Sequence, residues 1–292
     1  MESIFIPRYF WNGTNDEVCT NTAVLVRDNR IEQIDEPEKL RLGYPEAQVL
    51  ESKDWLMMPA FVDAHDHGRG MSPISFRTPD RALEMWLQDL NKLPAIPHYQ
   101  ACYYDGMRLV SSGVGMVLHS HNPNSFAKIR EEMVAAEKGY KDAGIRSILC
   151  PLYLDQNKRI YYDRDKFISD LPEPLRTNFA AGIHDKIMNM DEYFQLVEGI
   201  CEDLADDIKA GWTEVQLHPN GGQWCSDEAL LQMKEYALEH GMYIHLHLLE
   251  TQYQAEYAKR TWGKSFIKHY KEIGFLGPWV SFAHAVWLDE ED

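Results

Sequence analysis

Positive charge is scarce in this chain of 292 residues, in which 29 Lys and Arg stand against 46 Asp and Glu. The formal net charge of -17 argues against nucleic acids and anionic membranes as partners, because both require a basic surface. Long apolar runs are also missing, and none approaches the roughly 20 residues of a membrane-spanning helix. Residues 1–7 have neither the basic region nor the apolar core of a signal peptide. We therefore expect no membrane partner.

Cysteine is sparse as well: five cysteines lie far apart and form no C-x-x-C motif. Such an odd, scattered set is typical of reduced thiols and predicts a cytoplasmic protein. The chain is 45% hydrophobic and 26% charged, so it can bury a large core, and its length predicts one large domain or two smaller ones. Histidine, in contrast, is abundant, with 12 residues, several of them at the ends of apolar runs.

Two regions differ in their patterning. Residues 1–57 predict short strands that form a small β layer, too small to be stable alone. Residues 58–292 predict strands that alternate with helices, whereas residues 154–185 show no clear period and predict a loop over one face. The six predicted strands are Leu56–Ala64, Gly115–Leu118, Arg146–Leu149, Thr213–Leu217, Tyr243–Leu246 and Val280–Ala283. This alternation predicts a parallel sheet, either closed into a barrel or open and doubly wound.

The positions of the histidines favour the barrel. Six of them lie at or just past the C-terminal ends of predicted strands: His67, His119, His121, His218, His247 and His284. In a (β/α)8 barrel these strand ends converge on one face, where active sites lie, whereas in an open sheet they would spread along an edge. We therefore predict an α/β fold of the (β/α)8 TIM-barrel type, of which the chain contains only about strands one to six.

A His-x-His pair follows the first of these strands. Side chains at positions i and i+2 of a strand point to the same side, so His65 and His67 are expected to project together. Two imidazoles on one face at a strand end can form half of a metal site. Strand five ends in His247, and Glu250 follows three residues later, while strand six ends in His284. An isolated pair of this kind is more often structural, but the matching downstream residues favour a shared site.

The sequence resembles the amidohydrolase superfamily, whose members carry a small β-sandwich beside a metal-bearing (β/α)8 barrel. The resemblance lies in residues 59–67, 223–226, 247–251 and 283–286. The H-x-x-E motif after strand five, together with the absence of a lysine on strand four, is similar to the mononuclear branch. That branch includes cytosine and guanine deaminases, adenosylhomocysteine-type deaminases and triazine hydrolases. The resemblance implies that residues 1–57 are the N-terminal portion of the sandwich, and that residues 58–292 are an incomplete catalytic barrel.

The resemblance also implies roles for individual residues. His65, His67 and His247 would hold one divalent ion, Zn²⁺ or alternatively Fe²⁺, since neutral imidazoles suit either metal. A metal-activated water would attack, Glu250 would transfer its proton, and His284 would hydrogen-bond the nucleophile or the developing tetrahedral centre. The weaker candidates for substrate contacts are Arg69, His119, His121, His218 and Trp224, each of which is equally compatible with a structural role.

Three functions remain open at this point. The first is a hydrolase that acts on a C–N bond of a small heterocycle, with deamination as the leading reaction. The second is hydrolysis or ring opening of a cyclic amide by the same site. The third is an inactive fragment, because no residue can be assigned to the aspartate that the family carries on strand eight, and the chain is expected to be truncated at its C-terminus. A homo-oligomer is an option for the full-length enzyme.

Overall fold

The computed structural model describes residues 2–90, 92–156, 161, 164–182 and 188–292, which form two compact units, Met1–Phe61 and Val62–Asp292. The strands and the helix of the first unit are β1 Glu2–Phe10, β2 Ala23–Arg27, β3 Arg30–Asp35, α1 Pro37–Gly43 and β4 Gln48–Met57. They form one sheet in the order β3-β2-β1-β4, in which β1 is antiparallel to β2 and parallel to β4.

Asp28 and Asn29 form the tight turn between β2 and β3. Both residues have positive φ angles, of 49° and 63°, as a two-residue hairpin of this kind requires. Helix α1 was not predicted. It begins with Pro37 at its first position, and it buries Leu40 against Ile4 and Leu25. The small core of this unit therefore includes Leu40 from a helix, whereas the sequence pattern predicted only strands in this region.

The second unit carries strands alternating with helices. Its strands are β5 Phe61–Asp66, β6 Val114–Ser120, β7 Arg146–Cys150, β8 Leu152–Tyr153, β9 Thr213–Val215, β10 His218–Pro219, β11 Ile244–Leu248 and β12 Val280–His284. Its helices are α2 Leu83–Leu90, α3 His98–Ser111, α4 Ile129–Ala143, α5 Arg164–Asp170, α6 Leu175–Gly182, α7 Met190–Asp203, α8 Ala205–Ala210, α9 Asp227–His240, α10 Gln252–Trp262 and α11 Phe266–Glu272.

The sheets of this unit are parallel. One sheet has the order β5-β6-β7-β9, in which β6, β7 and β9 run parallel, and two parallel pairs are formed by β8 with β10 and by β11 with β12. Isolated parallel bridges join Leu217 to Ile244 and Gly221 to His247. The prediction of a mixed α/β fold with parallel strands is confirmed, and the strand ends that carry histidines are brought to neighbouring positions.

Two sequence predictions about this region are wrong. The first strand, predicted as one run over Leu56–Ala64, is divided: β4 ends at Met57 and β5 begins at Phe61. Pro59 lies in the gap, where a proline has no N–H to donate to a strand ladder. The strand is also less buried than expected, since Phe61 and Val62 are 57% and 59% exposed at the edge of the four-stranded sheet.

The second correction concerns residues 154–185, which were predicted to be a loop. The described part of this segment contains the short helices α5 and α6, while residues 157–160, 162–163 and 183–185 lie outside the described residues. Helices of seven and eight residues offer too few turns for a clear apolar period.

Helix α9 follows the fourth predicted strand, and both of its ends have sequence signals. The Ser226 side chain accepts a hydrogen bond from the Ala229 N–H at the start of α9, and Gly241 ends the helix with a left-handed φ of 65°. The buried core of the second unit includes Leu149, Met233 and Leu246. Among the helices of the described residues, none is both long and apolar enough to cross a bilayer.

Candidate metal centre

Three strand ends bring imidazole side chains together. His65 is the penultimate residue of β5, His67 follows that strand directly, and His247 lies in β11. Strand β12 pairs with β11 so that Leu248 lies opposite His284. The chain bends sharply after both strands, since Leu249 and His284 have positive φ angles of 50° and 69°.

The rings form a compact group. The His65 ring centroid lies 4.9 Å from that of His67, 4.8 Å from that of His247 and 5.1 Å from that of His284. Ligating atoms of His65, His247 and His284 all lie within 4.8 Å of one another. The His67 and His247 rings are nearly parallel, with centroids 5.4 Å apart. His65, His67 and His247, which we call the first histidine group, are thus assembled at one place, with His284 beside them.

Hydrogen bonds define which ring nitrogen of each histidine remains available. His67 Nδ1 donates to the Ser120 carbonyl oxygen at 2.8 Å, and His247 Nδ1 donates to the Asn220 carbonyl oxygen at 2.5 Å. An imidazole that donates through Nδ1 carries a lone pair on Nε2. His65 Nδ1 lies 3.0 Å from His245 Nε2, and His65 Nε2 is buried without a hydrogen-bond partner among the described residues. His67 and His247 therefore each present a lone pair on Nε2, and His65 presents an Nε2 atom without a hydrogen-bond partner, as a cation site requires.

Burial keeps these imidazoles neutral. It lowers the pKa of His65 to about 4 and the pKa values of His67 and His247 well below the ordinary value. A neutral ring with a fixed Nδ1–H is the form of histidine that binds a divalent metal, and a carbonyl bonded to the other nitrogen orients it. The donors present thus fit a metal ion such as Zn²⁺, and the buried, unpartnered Nε2 of His65 is the clearest sign of that fit.

Glu250 lies next to this group. Its Oε2 is 3.5 Å from His284 Nε2. Burial raises the pKa of Glu250 to about 7, and the neighbouring carboxylate of Glu84 acts in the same direction, whereas Arg69 opposes it. A carboxyl group with a pKa near neutrality can both accept and donate a proton under ordinary conditions. Glu84 itself accepts a hydrogen bond of 2.7 Å from the Thr251 hydroxyl.

A cavity of about 870 Å³ adjoins the first histidine group, and its walls include His67, Arg69, Glu84 and Trp224. Arg69 and Trp224, two of the five candidate substrate contacts, therefore line the cavity. The Arg69 guanidinium also lies 5.2 Å from the centroid of the Trp86 ring.

The other three candidate contacts have no exposed area: His119, His121 and His218. The Ser120 hydroxyl lies 2.8 Å from His218 Nε2, and His218 Nδ1 donates to the His245 carbonyl oxygen. His119 and His121 are bonded to each other at 3.1 Å. All three histidines are engaged with protein atoms in this structure and are not among the residues that line the cavity.

Sequence reasoning did not identify several participants. The carbonyl oxygens of Ser120 and Asn220 orient His67 and His247, but every residue has a backbone carbonyl, so the sequence does not indicate which of them take part. Glu84 lies in α2, and nothing in its sequence position links it to Glu250. His245 was recognisable as the partner of His247 in a second His-x-His pair, but the strand pattern does not tell which member faces the group.

The sequence of the chain is similar to that of a known protein family. The sequence profile of the amidohydrolase family matches residues 56–292. The chain is 26% identical over 277 residues to a 5'-deoxyadenosine deaminase of Methanosarcina barkeri, covering 93% of this chain and 54% of that protein. It is also 26% identical over 283 residues to a 5-methylthioadenosine/S-adenosylhomocysteine deaminase of Thermodesulfovibrio yellowstonii, covering 95% and 56%. The chain thus spans about half the length of these curated relatives.

Solved structures show the same fold. An adenosine deaminase from Xanthomonas campestris with bound zinc superposes with a TM-score of 0.72 at 17% identity, covering 99% of this chain and 58% of that one. An atrazine chlorohydrolase mutant from Arthrobacter aurescens, in complex with zinc and atraton, superposes with a TM-score of 0.73 at 15% identity, covering 99% and 62%. The match of the family profile over most of the chain, including every histidine of the first group, shows that this chain belongs to the amidohydrolase family.

Proposed function

We propose that the chain is a metal-dependent hydrolase that acts on a C–N bond of a small heterocycle, and that its reaction is a deamination. The observation that carries this proposal is the convergence of three neutral imidazoles beside a carboxyl group whose pKa is raised to about 7. That combination unites a cation site with a proton-transfer group. The deaminases among the relatives and the structural neighbours support the choice of reaction.

His65, His67 and His247 would hold one divalent ion through Nε2, with Zn²⁺ favoured over Fe²⁺ because two of the structural neighbours named above contain zinc. When bound, such an ion supplies a water of lowered pKa, near ~7, as the nucleophile. The carbonyl oxygens bonded to His67 and His247 hold these rings in place, so that the geometry of the site does not depend on exposed side chains.

Glu250 moves the proton in this proposal. As the carboxylate it accepts the proton of the attacking water, and as the acid it donates that proton to a ring nitrogen or to the leaving amine. His284 lies within reach of Glu250 Oε2 and would hydrogen-bond the oxygen that develops negative charge. Only 24% of the Glu250 side chain is exposed, which limits its contact with bulk water.

The cavity would hold the heterocycle, with Arg69 and Trp224 as its contacts. The half-buried guanidinium provides hydrogen-bond donors, and an indole provides a flat apolar face, so together they suit a planar polar ring. We further propose that β5, β6, β7, β9, β11 and β12 are successive strands of a (β/α)8 barrel, and that residues 1–57 form part of a β-sandwich. The absence of a membrane-spanning helix from the described residues is compatible with a cytoplasmic location, and a homo-oligomer remains our expectation for a longer form.

The test is product analysis with the purified chain loaded with Zn²⁺. 5'-Deoxyadenosine and guanine serve as deamination substrates, and hydantoin serves as a cyclic amide. We expect ammonia from at least one of the first two, with no reaction in the Glu250→Gln variant. Ring opening of hydantoin without ammonia release would favour the cyclic amide hydrolase. No turnover by a zinc-loaded, folded chain would contradict the proposal that this polypeptide is itself the catalyst.

A further inference from the structure

A second set of metal-binding side chains lies outside the first histidine group. His98 is the first residue of α3, His121 follows β6, and Glu132 lies in the first turn of α4. Ligating atoms of these three residues, which we call the second histidine cluster, all lie within 4.8 Å of one another. Two histidines and one glutamate are a donor set that Zn²⁺ accepts in proteins.

The distances suit a single ion. Glu132 Oε2 lies 3.2 Å from His98 Nε2 and 3.2 Å from His121 Nε2. An ion with bonds of about 2.0–2.1 Å in tetrahedral geometry holds its ligand atoms roughly 3.3 Å apart. Two of the three separations thus match those of ligands, and the two histidine ligand atoms lie within 4.8 Å of each other.

His98 contributes a buried ring nitrogen that has no hydrogen-bond partner among the described residues. Its side chain is only 10% exposed, and its Nε2 atom is buried without a hydrogen-bond partner among the described residues, although Glu132 Oε2 is near. The ring nitrogen is therefore close to the carboxylate but not directed at it as a hydrogen-bond donor. Buried polar atoms in folded proteins are nearly always paired, so an orphaned nitrogen in a polar cluster requires an explanation. A cation would satisfy it.

Supporting contacts hold the other two ligands. Glu132 accepts the backbone N–H of Asn124 at 3.0 Å on Oε2 and that of Ser125 at 3.1 Å on Oε1. His121 Nδ1 lies 3.1 Å from His119 Nε2, and His119 Nδ1 lies 3.1 Å from the Tyr140 hydroxyl. His121 Nε2 also lies within hydrogen-bond distance of Glu132 Oε2, at 3.2 Å. When His121 donates through Nδ1 and His119 does the same toward Tyr140, His121 Nε2 carries a lone pair instead of a proton, and a metal takes the place of this hydrogen bond.

Close packing of two helices brings the ligands together. Helix α4 touches α3 at Gly139, where a Cβ atom would lie 2.6 Å from the Tyr99 carbonyl oxygen. Only glycine allows this approach, which packs the start of α3 against the middle of α4, and the His98 side chain lies 3.2 Å from Glu132 in the first turn of that helix. His98 lines the same cavity as Arg69, so the side of the cluster at His98 is accessible to an ion and to a fourth ligand from solvent.

We propose that His98, His121 and Glu132 bind a second Zn²⁺ ion, and that this ion holds the loop between β6 and α4 in place. The loop is adjacent to the first histidine group, because the Asn122 side chain, directly after His121, lies 2.8 Å from His67 Nδ1, the atom that donates to the Ser120 carbonyl oxygen. The second site is thus a positioning element for the proposed active site. Its existence as a metal site does not depend on the proposed function.

The test counts zinc in purified chain that has been stripped with EDTA, dialysed against Zn²⁺ and analysed by mass spectrometry. We expect two ions in the wild type, one in His98→Ala, one in His65→Ala and none in the double variant. His240→Ala, which removes an exposed histidine of α9, is the matched control and should keep both ions. The affinity of the second site should fall by at least 100-fold in His98→Ala.

The outcomes separate this inference from the proposed function. One ion that is lost in His65→Ala and kept in His98→Ala would overturn the second site and leave the first intact. One ion that is lost in His98→Ala and kept in His65→Ala would support the second site and contradict the first. If His98→Ala does not fold, Co²⁺ titration of the His65→Ala variant decides, since one equivalent should still give visible absorption bands, and their absence would overturn the proposal.

Discussion

The first histidine group and the second histidine cluster use the same side chain but anchor it differently. In the first group, His67 and His247 donate to backbone carbonyl oxygens, which can only accept. In the second, His121 is bonded to another histidine, and that histidine to a tyrosine hydroxyl, each of which can donate or accept. A histidine bonded to a carbonyl oxygen is restricted to one tautomer, whereas a histidine bonded to groups that can donate or accept can adopt two. The comparison indicates that His67 and His247 are each held in one tautomer, whereas His65, whose Nδ1 lies 3.0 Å from His245 Nε2, and His121 of the second cluster are held by groups that permit two.

The carboxylates beside the two sets differ as well. Burial raises the pKa of Glu250 to about 7. Burial also acts to raise the pKa of Glu132, but its hydrogen bonds to His121 and Asn124 and the nearby His98 outweigh it, so the pKa is lowered overall. Glu250 can therefore change protonation near neutral pH, whereas Glu132 stays ionised. The first carboxylate suits proton transfer, and the second suits permanent ligation.

Removal of an imidazole from the first group should have the largest effect on activity and on metal binding, and it tests this contrast directly. His65→Ala or His67→Ala should abolish nearly all hydrolase activity and weaken metal binding by more than the roughly 10–100-fold typical of residues that only support a ligand. Metal analysis and turnover of the purified variants measure both. Near-stoichiometric metal at the first site in both variants would show that these histidines are structural.

Replacement of Glu250 should separate binding from chemistry. In Glu250→Gln we expect turnover to fall by about 10²–10⁴, the usual contribution of a positioned acid–base group, with unchanged metal content. In the wild type, turnover should fall as the pH drops below about 7, because the carboxylate that accepts the proton is then protonated. Near-normal turnover of the variant would mean that another group moves the proton.

The hydrogen-bonded series from His121 through His119 to Tyr140, which we call the relay, can be interrupted by removing one hydroxyl group. Tyr140→Phe keeps the buried ring but removes the hydroxyl next to His119. We expect zinc binding at the second cluster to weaken by roughly 10–100-fold, as is usual for loss of an outer hydrogen bond, and binding at the first group to stay unchanged. Calorimetric titration of His65→Ala with and without Tyr140→Phe isolates the second site. Equal affinities would show that the relay does not orient His121.

The smallest expected effect is a shift of the pH profile. The Glu84 carboxylate helps to raise the pKa of Glu250, so Glu84→Gln should lower that pKa and move the acid limb of the kcat profile to lower pH. Glu228→Gln, at an exposed position of α9, is the control and should leave the profile in place. A limb that does not move, or that moves to higher pH, would show that Glu84 is not a significant neighbour of Glu250.

Much of the first group could be predicted from the sequence, because it depends on local periodicity. His65 and His67 are two residues apart at a strand end, and the H-x-x-E spacing places Glu250 just past another. Parallel strands carry their C-terminal ends to one side, so these residues were expected to meet before any distance was known. The cap of α9 was predictable for the same reason, since Ser226 bonds to a neighbour three residues away.

The second histidine cluster was decided only by tertiary structure. His98, His121 and Glu132 belong to two helices and a strand end, and no fixed spacing relates them. They meet because α3 and α4 pack closely at Gly139, and because two backbone N–H groups in the loop before α4 bind the Glu132 carboxylate. Sequence periodicity reports which residues share a face of one element, but the contact between two faces is set by packing of the whole unit.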